Sequence, residues 1–159
     1  MYNDYFNAKD APLAKYGEGY ITIDGNRYAA FFAKSVKVTA NVKTKEVPML
    51  NRVITPRRAT GMEVKIDMTI YKCTEIFDKA AEQFKKTGVL PEFEIVIGSE
   101  DPATSIGRSS KVYKNCVIDG DLLLSMLDSG EDNIEQQVTA YAQDYESISE
   151  YTAPDYLKQ

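Results

Sequence analysis

The sequence contains no histidine and no tryptophan, and only two cysteines in 159 residues. Without histidine, a Ser-His-Asp or Cys-His nucleophile cannot be assembled. The common zinc sites, which draw on histidine or on several cysteines, are excluded for the same reason. Cys73 and Cys116 have neither metal-ligand nor disulfide-framework spacing, and are expected to be reduced, half-buried thiols of a cytosolic protein. No apolar run approaches the roughly 18 residues of a membrane span. The opening stretch MYNDYFNAKDAPLAKYGEG has no apolar h-region, so no signal peptide is expected. Phosphate-cradling fingerprints are missing too, with no G-x-x-x-x-G-K-[ST] and no G-x-G-x-x-G. Carboxylates, Lys and Tyr remain for catalysis, but the chain is not expected to be an enzyme or to carry a cofactor.

What is present is ordinary for a folded chain: 43% hydrophobic and 27% charged residues, which predict a single domain over 1–159. The net charge of −5 argues against a protein that coats nucleic acid, which usually shows a basic face. The charge is unevenly spread. Lys43, Lys45, Arg52, Arg57 and Arg58 face Glu46 alone in one stretch, whereas from Asp119 onward acids dominate and Lys158 is the only base. Opposite patches on one chain favour head-to-tail association of copies, or are a harmless dipolar surface. Tyrosines gather near the ends, at Tyr2, Tyr5, Tyr16, Tyr145, Tyr151 and Tyr156. Either these are ordinary half-buried rings, or 1–17 and 145–159 are arms that dock on neighbours.

Period-two patterning runs through most of the chain. YITID is followed by Asp24-Gly25-Asn26, a strong hairpin turn, and RYAAFFAKS returns. In VKVTANVK, Val36, Val38, Ala40 and Val42 are expected inward. MEVKIDMTIYK alternates most cleanly, with Met62, Val64, Ile66, Met68 and Ile70 on the core face. One helix is expected from Thr74, as N-cap, to Thr87, with Ile76, Phe77, Ala80, Ala81 and Phe84 as its apolar stripe and Gly88 as the residue that ends it. EFEIVIG, KVYKNCVIDG and NIEQQVTAYAQ read as further strands, LLLSML is an apolar segment of unassigned type, and the tail after Tyr145 is extended and acidic. About seven strands and a single helix predict a mainly β fold, an antiparallel β-sandwich or barrel with one flanking α-helix.

The small polar motifs have plain explanations. DGDLLL lacks the spaced ligands of a calcium loop and reads as a turn. Glu100 and Asp101 are expected in a solvated loop. Glu92 and Glu94 share a strand face, with no pocket to make them paired acids. The stretch that stands out is NVKTKEVPMLNRVITPRRATG, residues 41–61. A loop longer than about 12–15 residues in a compact domain is usually functional or disordered.

In order along the chain, GEGYITIDGNRYA, FFAKSVKVTANVKTKEVPMLNRVITPRRATG, MEVKIDMTIYKCTEIFDKAAEQFKKTGVLPEFEIVI and SIGRSSKVYKNCVIDGDLL resemble the tail tube proteins of contractile phages and phage-tail-like particles of defective prophages. The resemblance covers the chain from Gly17 to about Tyr145 and rests on the order and spacing of these pieces. It implies a ring-forming tail tube fold: homo-hexameric rings, stacked into the inner tube of a virion tail assembled in the host bacterial cytoplasm. The implied partners are other copies of the chain, the tail sheath protein, a tape-measure protein in the lumen, and baseplate and tail terminator proteins. DNA would pass through without specific binding. On this picture residues 41–61 form an extended hairpin that lies on a neighbour, where Val47, Met49, Leu50, Val53 and Ile54 find burial and Lys43, Lys45, Arg52, Arg57 and Arg58 find acids. Glu63 and Asp67 would face the lumen. The alternatives are a monomeric β-sandwich ligand-binding module and the tube subunit of a related secretion or injection system.

Overall fold

A computed structural model of the chain describes residues 6–29, 33–130 and 133–157. Within them the chain forms eight antiparallel strands and one α-helix. The strands are β1 (Gly17–Ile23), β2 (Asn26–Ala29), β3 (Ala33–Glu46), β4 (Arg57–Tyr71), β5 (Phe93–Glu100), β6 (Arg108–Ile118), β7 (Glu135–Ala142) and β8 (Asp144–Ser149); the helix α1 is Ile76–Thr87. The expected return strand RYAAFFAKS is seen as β2 and the start of β3, and its middle, Ala30 to Phe32, lies outside the described residues. Asp24 and Gly25 both have positive φ, 51° and 78°. That is the conformation a two-residue hairpin needs, and it sets Ile23 opposite Asn26.

The strand order is β2-β1-β5-β6-β7-β4-β3, with β8 also on β6. β6 is where the sheet divides. Along most of its length it pairs with β5 on one edge and β8 on the other, and only Val117 and Ile118 reach β7. The chain bends at Gln143, so that β8 stays with β6 while β7 crosses to pair with β4 from Tyr71 to Val64. Among the described residues, β7 is the one strand that joins the two half-sheets by backbone hydrogen bonds. Ile21, Phe93, Ile95 and Cys116 from one half share a buried cluster with Ile66, Met68, Ile70 and Val138 from the other. Fully burying a side chain of this size contributes about 1.5–3 kcal/mol.

β4 alternates as its sequence predicts: Val64, Ile66, Met68 and Ile70 are buried while Lys65, Asp67 and Thr69 lie on the opposite face. Met62 and Val42 depart from expectation, at 51% and 57% exposed. They sit opposite each other, past the end of the core, so the alternation continues with nothing beneath it. The helix also begins later than expected. Glu75 occupies the N-cap position without a side-chain cap, and Gly88, at φ 75°, ends the helix by donating its N–H to the Phe84 carbonyl. Phe77 meets Phe93 edge to face at 5.7 Å. Core contact ends with Ala80, and Phe84, expected in the apolar stripe, is 53% exposed.

Several polar groups lie where the sequence does not place them. Asp101 is buried rather than solvated, accepting the N–H groups of Leu13 and Ala103 at 3.0 and 2.9 Å. The ammonium of Lys72 binds both carboxylate oxygens of Asp78, at 2.6 and 2.7 Å, and the carbonyl of Leu123. This contact fixes the LLLSML segment, which forms no regular element, against the exit of β4 and the start of α1. The two cysteines are free and are not both half-buried: Cys73 is exposed, and burial pushes the Cys116 thiol up to about 12. An eighth strand, β8, takes up part of the tail expected to be merely extended.

Candidate assembly surface

β3 and β4 remain paired well beyond the core. Their register runs from Val42 opposite Met62 to Glu46 opposite Arg57. Over this distance every residue of both strands is exposed, from Thr39 in β3 and up to Glu63 in β4. The stretch 41–61 is therefore mostly paired hairpin, and the loop proper is 47–56.

Backbone pairing and a few surface contacts hold the projection. Val47 donates its N–H to the Pro56 carbonyl at 2.9 Å, closing the loop. Arg57 reaches Glu46 at 3.1 Å and the Thr44 hydroxyl at 2.9 Å, and Lys43 pairs with Glu63 at 2.6 Å. Pairing shifts at Lys43 and Thr44, which oppose Gly61 and Ala59. Thr60 is the extra residue, and its hydroxyl donates to the Lys43 carbonyl. Such a bulge sharpens local twist and bends the strand. Exposed ion pairs of this kind contribute about 0.2–1 kcal/mol each.

The tip is bare. Leu50, Val53 and Ile54 are 94%, 101% and 77% exposed, and Met49 and Val47 are partly so. Asn51 takes a left-handed φ of 61°, a conformation its short polar side chain tolerates. Arg52 leans on the Met49 sulfur at 3.9 Å. Lys45 lies directly opposite Arg58, like charge against like, which is unfavourable in a sheet. Among the described residues no carboxylate lies within ion-pair distance of Lys45, Arg52 or Arg58. The sequence-predicted interface residues thus fall on one projection: Lys43 and Arg57 are ion-paired along its strands, Lys45 and Arg58 oppose each other there, and the loop carries Arg52 and the bare aliphatic side chains.

Glu63 and Asp67 share the outer face of the β3-β4-β7 half-sheet, away from the core. Glu63 is held by Lys43, and Asp67 accepts from the Thr139 hydroxyl at 3.2 Å with Lys65 3.9 Å away. Lys37 stands opposite Asp67 in the register. This face therefore alternates in sign and is not simply acidic.

A second cluster had no sequence signal strong enough to find it. Asp10 is buried and accepts from the Ser105 N–H and hydroxyl at 3.0 and 2.7 Å and from the Tyr156 hydroxyl at 2.6 Å. Tyr156 in turn accepts the Asn7 N–H at 3.2 Å. Tyr156 foremost, then Ser105, hold the Asp10 carboxyl below its ordinary value. Burial, and then the bond to Asp10, raise the Tyr156 phenol. The segments near the two ends thus close on each other; Tyr2 and Tyr5 lie outside the described residues.

A family model described as phage tail tube protein matches residues 4–149. Three solved structures are similar in fold. One, from the anti-feeding prophage cap (the tube terminating cap), is 12% identical, with a TM-score of 0.64, covering 92% of this chain and 97% of that one. Another, from the PVC sheath/tube terminator of an extracellular contractile injection system in the extended state, is 14% identical, with a TM-score of 0.62, covering 87% and 97%. A third, from the PVC sheath-tube complex in the extended state, is 13% identical, with a TM-score of 0.58, covering 91% and 99%. No curated protein matches the chain.

Proposed function

We propose a function from one premise: the chain belongs to the phage tail tube protein family. It is a structural subunit of the inner tube of a contractile tail, and its work is assembly rather than catalysis. Residues 1–159 form one tube domain, with an inter-subunit hairpin at 41–61. Six copies close into a ring, and rings stack into a tube in the virion tail. Sheath surrounds it, baseplate and terminator bound its ends, and a tape-measure protein occupies its lumen before DNA passes.

The observation that supports this reading is the projecting half of the β3–β4 hairpin. A strand pair with both faces in water, ending in bare aliphatic side chains, adds little to the folding of one subunit. It gains its burial only when another surface covers it. Among the described residues the outer edge of β3 has no strand beside it, a pairing site that a closed ring would remove. In such a ring the outer face of the β3-β4-β7 half-sheet, with Glu63 and Asp67, lines the channel. Its alternating charges let a polyanion pass without a continuous basic track to hold it.

A second reading is favoured by the structural neighbours, which include parts of an extracellular contractile injection system and of the anti-feeding prophage. By analogy the same subunit builds the tube of an injector that carries no genome. Electron microscopy of the purified chain over a concentration series tests the common core of both readings. Uniform hollow rings or tubes are expected. Featureless monomers at every concentration, with the tip ordered on its own core, would overturn it. Nucleic acid recovered from intact particles separates the phage tail from the injector.

A further inference from the structure

The structure leaves a second bare apolar patch at the opposite end of the sheet from the hairpin tip. β4 is 15 residues long, about 45 Å at ~3.3 Å per residue. The hairpin loop leaves one end of it, and at the other Tyr71 pairs with Glu135 at the start of β7. There Leu124, Leu127 and Ile134 are 61%, 102% and 43% exposed. The segment that carries them is tethered at Leu123 and at Ile134. Lys72 donates its backbone N–H to the Ile134 carbonyl at 2.8 Å, and its ammonium holds the Leu123 carbonyl and Asp78. Asp128 is set in its turn by accepting the Gly130 N–H at 2.9 Å.

The charges of the two ends are complementary. From Lys43 to Arg58 the sequence has five bases and one acid, and that acid is bound to Arg57. From Asp119 to Glu135 it has six acids and no base. Among the described residues, the one base paired to that segment's acids is Lys34, on Glu135, so Asp121 and Asp128 have no cation within ion-pair distance.

We propose that the hairpin tip of one copy docks on the Leu124, Leu127, Asp128 and Ile134 surface of the copy stacked on it. Leu50, Val53 and Ile54 then cover the aliphatic patch, while Arg52 and Arg58 meet Asp121 and Asp128. Because donor and receiver lie at opposite ends of one strand, the contact is heterologous, and repeating it extends a stack without limit. This proposal rests on the tube-subunit reading and adds to it the receiving surface.

Charge exchange between variants tests it. R52E/R58E and D121K/D128K each replace exposed side chains, so each should keep the circular dichroism of the parent and lose tubes when alone. Mixed one to one, every acidic tip finds a basic patch and every basic tip an acidic one, and tubes should return with alternating composition. A mixture that stays dispersed, or either variant assembling alone as the parent does, overturns the docking. If a reversal variant does not fold, the C73S/V53C and C73S/L127C chains replace it. Oxidation of their mixture should give a disulfide-linked dimer that neither gives alone, and its absence from proteins that form tubes has the same consequence. Absence of rings and tubes from the parent at every concentration overturns the subunit reading and this docking together. Tubes from the parent with no recovery in the mixture overturn the docking alone.

Discussion

Truncating Leu50, Val53 and Ile54 to alanine separates folding from assembly. All three are at least 77% exposed, so the free subunit loses almost no burial. Surface substitutions of this kind usually stay within about ±0.5 kcal/mol of the parent. In the stacked tube proposed above the same positions would be covered. The three truncations remove eight side-chain carbons, each contributing about 0.8 kcal/mol if fully buried, or about 6 kcal/mol per contact. Half that value allows for incomplete burial. At 1.4 kcal/mol per factor of ten, the range of about 3–6 kcal/mol raises the concentration needed for tube growth by a hundredfold to ten-thousandfold. Pelleting of polymer across a dilution series reads this threshold, and thermal melting of dilute protein reads folding. An unchanged threshold would refute the assignment of the tip to an interface. A melting midpoint lowered by many degrees would show instead that the tip supports its own core.

Three further outcomes follow from buried polar groups. Asp10 is held below its ordinary pKa, so its contribution is full above the unfolded value, about 3.9, and is lost as pH falls through the lower folded value; D10N should speed amide exchange at Ser105 at neutral pH and abolish that part of the acid dependence. Lys72 and Asp78 have side chains only 10% and 16% exposed, so K72A strands a carboxylate and should cost about 3 kcal/mol in urea unfolding, whereas K72M/D78L should recover most of it. Iodoacetamide should label Cys73 in the native protein and Cys116 only after unfolding, by intact mass, because Cys116 is fully buried and its thiol is pushed up to about 12.

The legible part of this fold is the part governed by local rules. Val64 to Ile70 alternate because one face is buried, Asp24-Gly25 turns because both residues accept positive φ, and Gly88 ends α1 for the same reason. Alternation cannot say where the core stops. Val42 and Met62 continue a pattern that is buried at Val64 and bare one rung further out. β8 was hidden because its burial hardly alternates: it lies on β6 and turns mainly Tyr145 toward the core. Asp101 reads as a solvated charge because its donor at Leu13 lies 88 residues away in sequence, and Asp10 gives no signal at all, its donor at Ser105 lying 95 residues away. The tip of the candidate surface was legible as an excess of apolar and basic residues in an apparent loop. Its shaft was legible only as far as Lys43, through the alternation of VKVTANVK; the register adds Thr44 to Glu46 and Arg57 to Gly61 as strand.

The place of β7 bears on how the subunit is made. β1, β2, β5 and β6 can pair among themselves, and so can β3 and β4, but the two groups are bridged through β7, which ends at residue 142 of 159. Until β7 is made, the strands that pair by backbone hydrogen bonds fall into two groups with open edges. Residues are added at about 5–20 per second, and such intermediates are prone to aggregate. Backbone closure of the sheet waits for β7, so a chain that stops short of Ala142 leaves the two half-sheets without that link. The topology thereby makes synthesis of β7 a condition of the finished sheet, whichever of the earlier strands have already paired.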